Sequence, residues 1–136
     1  MSVTTRSADD TRSLGAKTAA KARVGETYAL IGELGAGKTE FVRGFVDYLN
    51  PQVKVQSPSF TILRTYQTRS FPVYHFDFYR LSHPDELIEI GFADYVGADG
   101  VCLIEWADRF PEVLPEDVRT IRFSDRGDDI REIEVA

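Results

Sequence analysis

The stretch Gly32-Glu33-Leu34-Gly35-Ala36-Gly37-Lys38-Thr39 constrains this chain more than any other, because it has the spacing G-x-x-x-x-G-K-T. Such a loop binds phosphate only when a strand leads into it and a helix leaves it. Both contexts are present. Thr27 to Ile31 is a short, mostly apolar run that reads as a buried strand. From Lys38 to Leu49 the apolar residues Phe41, Val42, Phe45, Val46 and Leu49 recur at helical spacing, and Asn50-Pro51 ends the pattern. Gly32, Gly35 and Gly37 let the backbone curl with its N–H groups aimed inward. The positive end of the following helix adds to the same site. In this pattern Lys38 reaches the β- and γ-phosphates of a nucleotide and the Thr39 hydroxyl ligates Mg²⁺. The candidate nucleotide-binding segment runs from Gly32 through Glu40, with Leu34 and Ala36 inside it.

The remaining segments predict an α/β fold: a single P-loop NTPase-like domain over residues 1–136, with a mixed parallel and antiparallel central sheet flanked by helices. At 136 residues the chain has room for one core, not two. Asp9 to Arg23 reads as a helix stopped by Gly25. Thr61 to Gln67 and Pro72 to Tyr79 read as a hairpin around Thr68-Arg69-Ser70. Ser82 is the expected cap of a helix with Asp85 in its first turn, and Gly91 breaks it before a short turn over Phe92 to Tyr95. Val101 to Glu105 is a compact apolar strand, and Val118 to Ser124 with Ile130 to Val135 forms a closing hairpin.

A metal-bound nucleotide needs a carboxylate near the end of a buried strand. Glu105 closes the run Val-Cys-Leu-Ile-Glu and is the favoured metal ligand, directly or through water. In Val-Tyr-His-Phe-Asp-Phe-Tyr, alternation puts Val73, His75, Asp77 and Tyr79 on one face and Tyr74, Phe76 and Phe78 on the other. Asp77 then orients or activates the attacking water, or supports the metal from outside its first ligands. One histidine makes a poor zinc site, so His75 reads as a hydrogen-bonded structural residue. Cys102 reads as a small core residue. Trp106 is open between the core and an exposed anchor for a partner. Arg80 and Arg131 are the in-chain candidates for a cation on the transferred phosphate, the alternative being plain surface charge or an arginine donated by a partner.

The charge balance is −6, from 22 acidic and 16 basic residues, with no basic stripe, which argues against gripping nucleic acid unaided. One cysteine excludes an internal disulfide, and no apolar run is long enough for a signal core or a membrane span, so a cytoplasmic protein without membrane contact is expected. No Asn-Lys-x-Asp segment for guanine is present, nor a cassette signature, and little chain is left over for a kinase lid. Elimination leaves a small ATP-binding module whose output is a conformational change delivered to another molecule.

Five blocks, GELGAGKTEFVRG, SPSFTILRTY, YHFDFYRL, DELIEIGFADY and LIEWADR, occur in that order across most of residues 32–109. Together they resemble the bacterial TsaE family, the ATPase of threonylcarbamoyladenosine formation on tRNA. The first block is shared with many nucleotide-binding proteins, whereas the other four in combination are specific. The resemblance implies ATP and Mg²⁺ as ligands and the TsaD and TsaB proteins as partners. In that family the partners transfer the group and meet the tRNA, and TsaE supports their turnover. By matched position it implies Lys38 and Thr39 as phosphate and Mg²⁺ contacts, Glu105 as a metal ligand, Asp77 as a residue needed for hydrolysis, and Ser57-Pro58-Ser59-Phe60 as a segment that responds to the γ-phosphate. A rival expectation is an ATP-gated binding module whose hydrolysis is incidental. Three positions depart from the family's habit: Ser59 for threonine, Ala107 for proline, and Glu40 for a hydroxyl residue. Glu40 is expected to point outward or to reach the metal through water.

Overall fold

The computed structural model describes residues 1–33, 35–55 and 62–135. Leu34, the expected switch segment Ser57 to Phe60, and Thr61 lie outside the described residues. Its frame is one seven-stranded sheet. In chain order the elements are β1 (Ser2–Thr5), α1 (Ala8–Lys21), β2 (Thr27–Gly32), α2 (Lys38–Leu49), β3 (Leu63–Tyr66), β4 (Val73–Asp77), α3 (Asp85–Glu89), α4 (Phe92–Tyr95), β5 (Val101–Glu105), β6 (Arg119–Asp125) and β7 (Arg131–Val135). Two short 3₁₀ turns, Ala107–Arg109 and Pro111–Val113, join β5 to β6.

The strand order is β1-β7-β6-β2-β5-β4-β3. The four central strands, β6, β2, β5 and β4, run parallel, and antiparallel strands close both edges. The expected hairpins therefore form, β3 on β4 and β6 on β7. β5 is buried at all five positions, as its unbroken apolar run requires of a strand covered on both faces. Because the central strands are parallel, their carboxyl ends lie along one edge of the sheet, where open α/β folds bind ligands. The loop after β2, Asp77 at the end of β4 and Glu105 at the end of β5 all fall on that edge.

The sheet divides the core into two layers. On one face Phe41, Val42, Phe45 and Val46 of α2 pack on Tyr28, Leu30, Leu103, Ile121 and Ile133. On the other, Ala29, Phe76, Cys102 and Ile104 meet Phe78, Leu81, Leu87, Phe92 and Phe110. Phe41 and Phe45 are fully buried, each worth about 2–3 kcal/mol of apolar transfer. The expectation of one core holds for the chain length, but a sheet with chain on both faces splits it.

α1 begins at a reciprocal cap: the Ser7 hydroxyl accepts from the Asp10 N–H at 3.1 Å, and the Asp10 carboxylate accepts from the Arg6 N–H at 3.0 Å. It lies against α2 at glycine positions on both helices. A Cβ placed on Gly44 would stand 1.8 Å from the Arg12 carbonyl oxygen, and one on Gly15 would stand 2.1 Å from that of Phe41.

Two expectations change. Ser2 to Thr5 forms an edge strand, pairing Val3 with Ile133, where no strand was read. Four residues with one buried side chain carry too little pattern to announce a strand without β7 beside them. Ser82 does not cap α3. Pro84 occupies that position, and the Glu86 carboxylate accepts the N–H groups of Ser82 and His83 at 2.9 and 3.2 Å. The longer side chain of Glu86 reaches back from the first turn to both amides, one of them the N–H of Ser82 itself. Among the described residues, no helix is long and apolar enough to cross a membrane.

Candidate nucleotide-binding site

β2 ends at Gly32, where the chain turns through the loop into α2. Gly35 and Gly37 have φ of +80° and +103°, a left-handed backbone that a side chain would strain. Gly32 serves a different need from the curling expected of it. A Cβ there would sit 2.7 Å from the Phe123 carbonyl oxygen on the adjacent β6. α2 then starts at Lys38 with no side-chain cap, so the N–H groups of its first turn face the loop.

A cleft of about 450 Å³ opens over this loop. Gly35, Gly37, Lys38 and Thr39 form its floor, and Asp77, Tyr79, Glu105 and Trp106 form one wall. The opposite wall comes from Ser7 and Thr11 of the α1 start with Asp129 and Arg131 of the closing hairpin. Lys38 is buried, and its Nζ donates to the carbonyls of Gly32 and Glu33, the latter at 2.9 Å. Burial lowers its pKa, and the charges of Glu105, Asp108, Asp77 and Glu33 oppose that shift. The same ammonium lies 4.1 Å from the centre of the Trp106 ring, a cation–π contact. Trp106 itself has φ +58° and packs against Tyr79, the ring centres 4.9 Å apart and the planes tilted by 43°. Geometry gives this tryptophan a place that neither alternative named: it lines the cleft.

The two strand-end acids are neighbours, Asp77 on β4 directly beside Glu105 on β5. Thr39 Oγ1 donates to Glu105 Oε1 at 3.1 Å. His75 Nε2 lies 2.6 Å from Glu105 Oε2, and its Nδ1 lies 3.3 Å from the Tyr66 hydroxyl. A carboxylate oxygen accepts, so Nε2 is the nitrogen that donates to Glu105. His75 is fully buried and holds the carboxylate in place. The structural reading of His75 was correct, but its link to Glu105 was not legible, because the two lie thirty residues apart and meet only across the β4–β5 register. Burial raises the Asp77 pKa and the charge of Glu105 adds to the rise, against an opposing hydrogen bond from the Tyr79 N–H at 2.9 Å.

Thr39 and Glu105 present a hydroxyl and a carboxylate side by side, the hard oxygen donors that suit Mg²⁺. Among the described residues, no cluster of three or more His, Cys, Asp or Glu side chains would hold a metal alone. Mg²⁺ at a nucleotide takes its other ligands from phosphate and water, so this donor pair fits that ion.

Glu40 lines the same cleft, but its carboxylate is taken up by arginines. One carboxylate oxygen accepts from Arg12 Nη1 at 2.6 Å and the other from Arg43. Both oxygens are engaged by arginines of α1 and α2, which hold the carboxylate at the margin of the cleft. Glu40→Thr is expected to leave the Mg²⁺ dependence of nucleotide affinity unchanged. It should cost about 1 kcal/mol or less in urea unfolding, as part-exposed ion pairs do. A shifted Mg²⁺ midpoint would restore a metal role. Arg80 and Arg131 both line the cleft. Arg131 donates to Asp125 Oδ1 at 3.0 Å and to the Gly35 carbonyl at 3.1 Å, tying the closing hairpin to the glycine loop. That second contact had no sequence signal, since 96 residues separate its partners.

The geometry can be set beside known proteins. Residues 5–133 match the profile of the family described as threonylcarbamoyl adenosine biosynthesis protein TsaE. The chain is 42% identical over 125 residues to the tRNA threonylcarbamoyladenosine biosynthesis protein TsaE of Bacillus subtilis, covering 92% of this chain and 78% of that protein. It is 40% identical to the protein of the same name from Treponema pallidum over the full length of both. The crystal structure of Bacillus subtilis YdiB superposes with a TM-score of 0.80 at 36% identity, covering 99% of this chain and 83% of that one. With the family profile spanning nearly the whole chain and the fold shared at that level, this protein belongs to the TsaE family.

Proposed function

We propose that this chain is a Mg²⁺-dependent ATPase of tRNA threonylcarbamoyladenosine formation that works on the TsaD–TsaB pair in the cytoplasm and does not transfer the threonylcarbamoyl group itself. The observation that carries the reading is the convergence of Lys38, Thr39, Asp77 and Glu105 on the carboxyl edge of one parallel sheet. The pathway is taken from the names of the relatives.

In this reading the loop N–H groups and Lys38 hold the β- and γ-phosphates and offset the charge that develops in transfer. Mg²⁺, held by Thr39 and Glu105, neutralises charge on the same phosphates when bound. His75 and Tyr66 keep the Glu105 carboxylate turned to its task. Asp77 orients a water for attack on the γ-phosphorus and takes up its proton as the bond to the bridging oxygen breaks. The acidic surface leaves the tRNA to the partners.

The test is Mg²⁺-dependent ATP hydrolysis by the chain alone and with the TsaD–TsaB pair, with Lys38→Ala as the blank. A rate well above the blank that rises with the pair is expected. A rate equal to the blank in both settings would overturn the ATPase reading. A flat rate with ATP still promoting complex formation would assign the nucleotide a docking role instead.

A further inference from the structure

Residues 81–118 hold ten of the 22 acidic side chains and one of the 16 basic ones. That segment carries −9, and the rest of the chain is left at +3. The lone basic residue, Arg109, is exposed, but its Nε is committed to the Leu81 carbonyl at 2.6 Å. Within this acidic stretch lies an apolar groove of about 510 Å³, remote in lining from the nucleotide cleft. Leu87, Ile88, Phe92, Val96, Val113 and Pro115 shape it. Ile88 is 77% exposed, an isoleucine placed in water beside an apolar concavity. Exposed Glu89, Asp94, Glu112 and Glu116 stand in the groove or one residue from its lining.

We propose that this groove is the seat of a protein partner that presents an apolar side chain surrounded by lysine and arginine. An RNA is the wrong occupant, because the carboxylates that border the groove repel phosphate. A basic protein face answers both features: the apolar residue covers Ile88, and the cations meet the acids, which speeds docking and selects the partner. The position of the groove adds a consequence. Its Pro84–Val96 wall is the chain between β4 and β5, and its Val113–Pro115 wall follows β5. These are the segments that leave Asp77 and Glu105. They are tied back by the Phe78 N–H on the Glu105 carbonyl at 3.1 Å and by Arg109 on Leu81. A partner seated here therefore holds the chain just beyond both acids without entering the cleft.

The inference rests on the function proposed above and names the surface through which the TsaD–TsaB pair engages this chain. Its test is the affinity of the purified pair for wild type, for Ile88→Glu, and for the double reversal Glu89→Lys with Asp94→Lys, at low and high salt with Mg²⁺ and ATP present. The altered side chains are exposed, and ATP affinity measured on each variant reports an intact cleft. Wild-type binding that weakens with salt, and at least about tenfold weaker binding by both variants, is the expected result. Wild-type binding with both variants unimpaired overturns the groove and leaves the proposed function standing. No binding by wild type overturns both. Self-association of the chain alone, lost in Ile88→Glu, would give the groove to a second copy and also overturn the inference.

Discussion

Asp77→Asn is expected to lower ATP turnover about 100-fold or more while ATP affinity stays close to wild type. The substitution keeps size and shape, and an amide oxygen can still accept the Tyr79 N–H that Asp77 Oδ1 now accepts at 2.9 Å. What is lost is the charge and the second, proton-accepting oxygen beside Glu105. Single-turnover hydrolysis and equilibrium nucleotide binding, measured on the same preparation, separate the two quantities. Turnover within a few-fold of wild type would remove Asp77 from the chemistry and leave the cleft a docking device. A pH profile gives a second reading. Burial lifts the Asp77 pKa above the ordinary carboxylate value, and a base works only when ionised. Activity should therefore be present above that raised pKa and fall as pH drops through it. In Asp77→Asn the acid limb should disappear along with the rate.

Gly44→Ala should destabilise the fold by about 3 kcal/mol or more, at the upper end of overpacking costs. Helix propensity alone predicts the opposite sign, because alanine in a helix interior is worth about 1 kcal/mol over glycine. The contact decides. The new methyl would meet the Arg12 carbonyl oxygen at 1.8 Å and its carbon at 2.5 Å, both backbone atoms of α1 that cannot rotate away. Relief requires the helices to separate, which opens the layer under Phe41 and Phe45 and shifts the Ser7–Thr11 wall of the cleft. Gly15→Ala meets the Phe41 carbonyl at 2.1 Å and should behave alike. Urea unfolding with an unchanged slope and a lowered midpoint is the expected record. A midpoint equal to or above wild type would mean that the two helices pack less closely than described here.

Much of this architecture was legible because the signals were local. The loop spacing, the apolar run into it and the helical recurrence of Phe41, Val42, Phe45 and Val46 each lie within one turn or one strand, and α2 begins and ends where they predict. The same holds for the fully buried β5 and for the turn that closes β6 on β7. Short segments that depend on a distant neighbour were not legible. β1 is a strand only because β7 offers it a free edge, and the entry to α3 is held by Glu86, whose side chain reaches back from inside the helix to two amides.

The order of five sequence blocks was enough to name the family. Residue types and spacing were enough to single out the glycine loop and the acids Asp77 and Glu105 as candidates, because a tight backbone curl needs glycine and a strand-end acid closes a buried apolar run. Everything that gathers those groups came from tertiary structure. The parallel β4–β5 register sets Asp77 beside Glu105 and His75 behind the same carboxylate, while the antiparallel strands β3 and β7 bring Tyr66 to His75 and Arg131 to the Gly35 carbonyl. Packing turned Glu40 to Arg12 of the neighbouring helix and laid Trp106 over Lys38. Those contacts join residues far apart in sequence, so their energies exist only once the sheet has closed and no local pattern can encode them.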